Sequence, residues 1–570
     1  MNLNSQYSFY PVQPDNPSDA DRYMLAYDAL TRKGWPEDFG QILKLMSPPP
    51  DITNYAKPGE FKSVRICVIG GGLAGLAAAF ELRKPGFDIT IFDALEDRVG
   101  GRIYTYYFDK QKRLYNEFGP MRIPVIHEAV WHYIKTFELP TRPFVQYNPN
   151  GYVYLKNTRV RNDSAGYNVS KHIYPEYPLR DWERKLNWQR LLAIGTDDIL
   201  LHASQQDRAE ILQVKPYYGR NALVWSDNSN IRMMQYAGLS QGAINLVSNF
   251  NPLLNGNLYN SFIDFIEEDY PANLTYLYEI PGGMARLPDA FLDSFRDSGH
   301  YPGIAGEDLG KVSYKAGCLV TGIYYDYSGR KVIIKHKKTG AGGNDKESFD
   351  YAICAIPFST LRTIDIDPLF SWIKMRAIRE VNYTPSQKTL LLFSKRFWEK
   401  EWIAGGSSFT DLPLASIWYP SDHARYVNNP ANAVNQLKGL PSSEPGVLIG
   451  SYNFNLDTTR LTNQPEEIRF NEIKRELELV HGLKPGYLDA IAVDYKTVNW
   501  DEQPTIRGAL SFFAPEQKRI FSYGMALPEY DERIFFAGEH ISAVHRWMQG
   551  ALQSGMQAAN DLAAACKKHS

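Results

Sequence analysis

Cysteine is scarce in this chain. Four residues, Cys67, Cys318, Cys354 and Cys566, are scattered over 570 positions, and the first three sit in strand-like apolar runs. They make no disulfide framework and no metal-ligand spacing, so they read as reduced core residues. An excess of charge of either sign is also missing. Against 64 acidic residues stand 62 basic ones, a formal net charge of −2. That balance removes the electrostatic case for a nucleic-acid partner or an anionic membrane surface. No apolar run is long enough to span a bilayer. Met1–Gln6 has neither a basic start nor an apolar stretch, so no secretory leader is expected and a cytoplasmic location is. Internal repeats and low-complexity segments are absent too. What remains is an ordinary globular composition, too long for one core, so two or three domains are expected. Aromatic residues are plentiful at 13%, which suits an aromatic-lined pocket.

The informative stretch is Val64–Ala79. A β-branched run ends in Gly70-Gly71-Gly72-Leu73-Ala74-Gly75 and passes into an Ala-rich helical pattern. The spacing G-x-G-x-x-G between a strand and a helix predicts a dinucleotide-binding turn. Gly70 permits the tight turn, Gly72 lets a pyrophosphate approach the backbone, and Gly75 lets the helix pack on the strand. The helix start then offers free N–H groups and a positive dipole end to the phosphates. A second strand, Asp88–Phe92, ends in Asp93, at about the 20-residue offset of a ribose-binding acid. Read blandly, Asp93 is a strand-end turn residue; in this order of elements the ribose role is preferred. Arg98-Val99-Gly100-Gly101-Arg102 follows. Two glycines between two arginines suit a second close approach to a diphosphate, because arginine offers a planar fork of donors. A basic loop over a glycine turn is the alternative.

Later landmarks are Tyr115–Pro124, with Gly119-Pro120-Met121-Arg122; the turn Gly282-Gly283-Met284; strand-like runs at 317–325, 331–336 and 351–357; and Arg533–His540, which leads through Trp547 into a helical pattern over Gly550–Ala565. Residues 126–280 carry helical patterns separated by polar loops.

These motifs together resemble the flavin amine oxidase family, and within it the FAD-dependent L-amino-acid oxidases, the group that includes the snake-venom enzymes. The resemblance spans nearly all of residues 60–565. It rests on Gly70–Gly75, Arg98–Arg102, Gly119–Pro124, Gly283-Met284, Ser386-Gln387-Lys388, Thr410–Pro413, Trp500 and Phe536–Glu539. It implies an α/β fold with a Rossmann-like FAD-binding domain of the GR2 type, a mixed α+β substrate domain and an inserted helical domain. The expected boundaries are 61–104, 284–380 and 526–570 for the FAD domain, 105–165, 275–283 and 381–525 for the substrate domain, and 166–274 for the helical domain. Residues 1–60 are expected as an arm on the substrate domain. The implied activity is oxidative deamination of an L-amino acid, with oxygen as acceptor, to a 2-oxo acid, ammonia and hydrogen peroxide. A decarboxylating 2-monooxygenase and a non-catalytic flavoprotein are the rivals. A homo-oligomer, in the simplest case a dimer, is implied as well.

The resemblance also assigns roles. Arg122 matches the arginine that pairs with the substrate carboxylate, and Tyr452 a tyrosine that donates to the same group. Lys388 matches the lysine that holds a water near the flavin. Trp500 and Trp547 match aromatics against flavin and substrate, Glu539 an acid near the ribityl and pyrophosphate, and Val320 a strand residue beside the adenine. Met121, Gly538 and Met548 fall against the cofactor as well. FAD is expected to be noncovalent, since the family's covalent members use a cysteine beside the ring and Phe521–Phe536 has none. Two departures stand out. The family signature has Glu where this chain has Asp93. A histidine of the venom-type enzymes falls, counting back from Gly283, on Glu267 of the run Glu267-Glu268-Asp269. Glu267 is therefore expected at the substrate side chain, where it would favour a cationic substrate; a solvated helix-end cluster is the competing reading.

Overall fold

The computed structural model describes residues 11–339, 343–424, 439, 441 and 443–569. Met1–Gln6, where a leader was sought, lies outside the described residues.

The strand before the glycine turn, Arg65–Ile69, is buried along all but its first residue. It sits at the centre of a five-stranded parallel sheet ordered Val312–Lys315, Asp88–Phe92, Arg65–Ile69, Tyr351–Cys354, Ile534–Phe536. Val68 pairs with Ile91 on one side and Ile353 on the other. A central parallel strand is covered on both faces, which is why this one is a continuous apolar run. The helix Leu73–Arg83 covers one face and is itself buried throughout. It packs against the last helix, Met548–His569. Both contacts depend on missing side chains. A Cβ on Gly75 would lie 2.0 Å from the Gly70 carbonyl, and one on Gly555 would lie 2.2 Å from the Ala74 carbonyl.

Of the strand-like runs at 317–357, only Tyr351–Cys354 joins the parallel sheet. Cys318–Asp326 and Lys331–Lys338 pair with each other in a separate four-stranded sheet. That sheet shares a core with the first through Cys67, Phe92, Val320 and Ile334. A seven-stranded sheet forms a second layer, with Ser386–Phe393 between Gly446–Phe454 and Ala492–Asn499. Short helices run from Tyr167–His172 to Phe262–Asp269 between them in sequence. The chain is therefore a mixed α/β protein of several domains with a parallel nucleotide-binding sheet, as the motifs imply.

The N-terminal arm reaches further than the substrate domain. Its helix Asp19–Lys33 opens with a Ser18/Asp21 capping box and closes on Gly34 in the left-handed region. Arg22 is buried against Glu128 and the Val125 carbonyl. Trp35 donates to the Tyr270 carbonyl at 2.9 Å, and Asp38 pairs with Arg208 at 2.6 Å, both in the helical region. Gln549 and Asn560 of the last helix donate to the Met46 and Pro50 carbonyls. The arm thus bonds to all three expected regions, because each presents donors or acceptors that need a partner once buried.

Candidate active site

Two connected cavities open at the carboxyl ends of the parallel strands. The longer one runs past Gly70, Gly72, Asp93, Gly101, Arg102 and Val320 to Trp500, Gly538, Glu539, Trp547 and Met548. The turn that begins it is held by geometry only glycine adopts comfortably: Gly70 has φ 107°, and a Cβ there would lie 2.8 Å from Ile356. Gly72 is different. It caps the helix Leu73–Arg83, and a Cβ on it would meet nothing within 4 Å. The backbone there faces open space, next to the helix N-terminus. Gly101 approaches the same point, since its own Cβ would lie 3.5 Å from the Gly72 Cα. This shape fits a pyrophosphate, and Gly75, one helical turn on, serves packing rather than lining.

Asp93 ends its strand buried at the cleft wall. Its carboxylate accepts from the Leu95 N–H at 3.0 Å and the Tyr314 hydroxyl at 2.7 Å, and burial pushes its pKa up. Tyr314 carried no signal in sequence; it arrives from the edge strand Val312–Lys315. Arg102 and Glu539, 437 residues apart, form a part-buried pair at 2.7 Å. Glu539 also accepts from the Ser511 hydroxyl and the Arg546 N–H. Burial alone would raise its pKa, but Arg102, the nearby histidines and these donors hold it at about 2. Arg98 departs from its expected role. It does not line the cleft; its guanidinium donates to the Gly101 and Ile103 carbonyls at 2.5 and 3.1 Å and lies 4.3 Å from the Tyr104 ring. Arg98 braces the glycine loop from behind, and Arg102 alone of the two faces the cavity.

The second cavity joins the first where Gly119, Pro120, Tyr452, Leu510, Arg546 and Trp547 line both. Met121, Arg122 and Lys388 line only this second part, with Gln146, Trp418, Glu268 and Phe250–Leu253, the turn that leads into the helix Pro252–Gly256. Arg122 follows the Gly-Pro turn. It donates to Gln146 Oε1 at 2.7 Å and lies between Trp418 and Trp547, 5.2 and 5.9 Å from their rings. Its accessible surface belongs to the cavity, and removal from bulk water lowers its pKa. No ion pair engages it among the described residues, so the fork of the guanidinium is available to an anion.

Lys388 and Tyr452 are cross-strand partners at the heart of the seven-stranded sheet. Lys388 is 2% exposed. Its Nζ donates to the Gly119 and Glu117 carbonyls at 2.7 and 3.1 Å and sits 4.4 Å from the Tyr452 ring. Burial, eased by Glu117 and reinforced by Arg122, lowers its pKa to about 7. Burial also raises the Glu117 carboxyl to about 7, against its bonds from Met284 N–H and Thr105. Glu117 lies two residues before the Gly-Pro-Met-Arg run yet gave no sequence signal of its own. The Tyr452 hydroxyl is pushed up to about 12 by burial, so it remains a donor at neutral pH. Trp547 stands against His127, ring centres 5.0 Å apart, and Trp500 donates to the Phe118 carbonyl at 3.4 Å.

Glu267 does not meet the expectation for it. It is buried and bonded to Arg546 Nη2 at 2.8 Å; burial outweighs that guanidinium and pushes its pKa well up, and it does not line the cavity. The next residue, Glu268, does. One step along a helix turns a side chain by about 100°, and counting without gaps could not resolve that step.

Among the described residues no group of acids, histidines and cysteines could hold a metal ion, and no helix is long and apolar enough to cross a membrane. The open backbone at Gly72, the Asp93 wall and the length of the first cavity fit a dinucleotide. Comparisons with known proteins agree. A putative L-amino-acid oxidase of Bacillus subtilis is 29% identical over 505 residues, 87% of this chain and 94% of that protein. The L-amino-acid oxidase of Crotalus adamanteus is 27% identical over 501 residues, covering 87% and 86%. Among solved structures, putrescine oxidase bound to putrescine has a TM-score of 0.64 at 16% identity, covering 87% of this chain and 98% of that one. Cyclohexylamine oxidase from Brevibacterium oxydans has a TM-score of 0.63 at 16% identity, covering 88% and 99%. The family model for flavin-containing amine oxidoreductases matches residues 73–563, and the chain therefore belongs to that family of flavoprotein oxidases.

Proposed function

We propose that the protein is an L-amino-acid oxidase that binds FAD noncovalently and converts its substrate to a 2-oxo acid, ammonia and hydrogen peroxide. The observation that carries this reading is Arg122. An oxidase of simple amines has no use for a buried guanidinium at the substrate cavity, because an uncompensated buried charge is costly. An α-carboxylate supplies the compensation. It would take the bidentate fork of Arg122, with the Tyr452 hydroxyl as a further donor.

When bound, FAD would supply a two-electron acceptor for the hydride leaving Cα. The chain's own residues position and desolvate. Arg122 and Tyr452 fix the carboxylate end, and the aromatic wall of Trp418 and Trp547 excludes water. Lys388, at about 7, holds or releases a proton at its Nζ near neutral pH. The substrate amine must be neutral when the hydride leaves. Noncovalent attachment is supported by the cysteines: Cys318 alone among them lines the long cavity in the described residues, beside Val320 and away from the second cavity, while Cys67, Cys354 and Cys566 are buried elsewhere.

The test is anaerobic. L-Amino acids should bleach the flavin absorbance, simple amines such as putrescine should not, and readmitted oxygen should yield peroxide and 2-oxo acid. Bleaching by amines alone would refute the reading. Amide and carbon dioxide as products would instead make the protein a decarboxylating monooxygenase.

A further inference from the structure

The helix Phe262–Asp269 carries four acids, and three have a basic partner within the protein. Asp264 bonds to His545 Nδ1 at 2.8 Å and to the Phe513 N–H at 2.6 Å. Glu267 bonds to Arg546 at 2.8 Å, and Asp269 lies 3.4 Å from Lys33. Glu268 has no ion pair and no side-chain hydrogen bond among the described residues. It is only 7% exposed, and the space it faces is the second cavity. A carboxylate removed from water without a partner is costly, so its position invites a ligand that supplies the missing donors.

The cations of the same cavity do not meet that need. Arg546 gives its Nη2 to Glu267 and makes no bond to Glu268 among the described residues. Lys388 is committed to two carbonyls, and burial lowers its affinity for a proton. Arg122 lines the same cavity, and Glu268 stabilises its charge through space, but no ion pair or hydrogen bond joins the two among the described residues. Once a carboxylate ligand pairs with Arg122, Glu268 is left as the uncompensated charge. It stands on the wall that the helical region contributes, beside Phe250–Leu253, and not on the stretch shared with the dinucleotide cavity. Phe250, Leu253, Leu274 and Phe454 give the same cavity apolar surface. A cavity with an anion receptor, apolar surface and a carboxylate without a bonded partner is complementary to a zwitterion that bears a second cation on an aliphatic stem.

We propose that Glu268 determines specificity, and that the preferred substrates are L-amino acids whose side chain ends in a guanidinium or ammonium group. This rests on the amino-acid-oxidase reading above. The reacting amine needs to be neutral, whereas the side-chain cation keeps its charge and donates to Glu268 with its stem on the apolar wall.

The test compares kcat/KM for L-arginine and L-citrulline, which share a shape and differ in charge, and for L-lysine and L-leucine. In the wild type arginine should exceed citrulline by about 10- to 100-fold, the worth of a charge-assisted hydrogen bond. In Glu268→Gln that ratio should fall towards one, chiefly through a higher KM for arginine, with the visible flavin spectrum retained as evidence of folding. Leucine or citrulline equal to or above arginine in the wild type would overturn the proposal and leave the oxidase reading intact. So would a Glu268→Gln variant that slows arginine and leucine alike and moves the pH profile, since Glu268 would then serve the α-amine. If no L-amino acid bleaches the flavin while simple amines do, the oxidase reading falls and takes this proposal with it.

Discussion

Replacing Arg122 by methionine should move substrate binding and protein stability in opposite directions. In the ligand-free protein the guanidinium has one hydrogen-bond partner, the neutral Gln146, and two indole faces. No carboxylate bonds to it; Glu268 offsets its burial only through space, and its pKa is lowered. Methionine has a similar length and no charge to desolvate, so the variant should be as stable as the wild type or more so, as seen when buried charges give way to well-packed apolar side chains. The substrate complex loses a bidentate charged pair, and breaking a buried one costs about 3–5 kcal/mol. That corresponds to an increase in KM of roughly 10² to 10³·⁵ at 1.4 kcal/mol per decade. Two measurements decide the matter: KM by peroxide release across a range of substrate concentrations, and the thermal midpoint of the flavin-loaded protein. A near-normal KM with a lowered midpoint would make Arg122 a structural residue and refute the reasoning.

Lys388→Met should slow reoxidation of the reduced flavin by oxygen more than its reduction by substrate; stopped-flow traces showing equal effects on the two half-reactions would contradict the role assigned to Lys388. Glu267→Ala strands Arg546 without its counter-charge and should destabilise the protein by about 3–5 kcal/mol, with part of the loss recovered in the double variant Glu267→Ala/Arg546→Met; strictly additive effects in that cycle would mean the pair is not coupled. The folded pKa of Glu539, at about 2, lies below its ordinary value of 4.5. Its contribution, about 3 kcal/mol, is therefore fully present above pH 4.5 and is lost as pH falls towards 2. Denaturant unfolding of the apoprotein in that window should lose stability less steeply in Glu539→Gln, and identical slopes would remove Glu539 from the acid response. With the Glu268→Gln comparison, these predictions address both cavities.

The nucleotide-binding unit was legible before any fold was known, because its logic is local. Turn, helix start and close approach are properties of a few consecutive residues, so Gly70, Gly72 and Gly75 announce themselves by spacing, and Asp93 by its place at a strand end. Arg122 was visible only as an arginine just past a Gly-Pro turn, and its role was implied by the family resemblance rather than by local spacing. The scarcity of cysteine likewise bears on the attachment of flavin without reference to three dimensions. Partner choice is another matter. Arg98 and Arg102 are equivalent in sequence, yet one braces a loop and the other pairs with Glu539 from 437 positions away. Glu267 and Glu268 are neighbours of the same type. Which of them faces a cavity and which faces Arg546, 279 positions away, depends on the rotation of one short helix against the end of the chain. The matched values of Glu117 and Lys388, both about 7, come from burying two groups that act on each other only after distant segments pack. Local spacing can specify a backbone shape. Charge balance inside a protein is a property of the assembled neighbourhood, and only tertiary structure decides it.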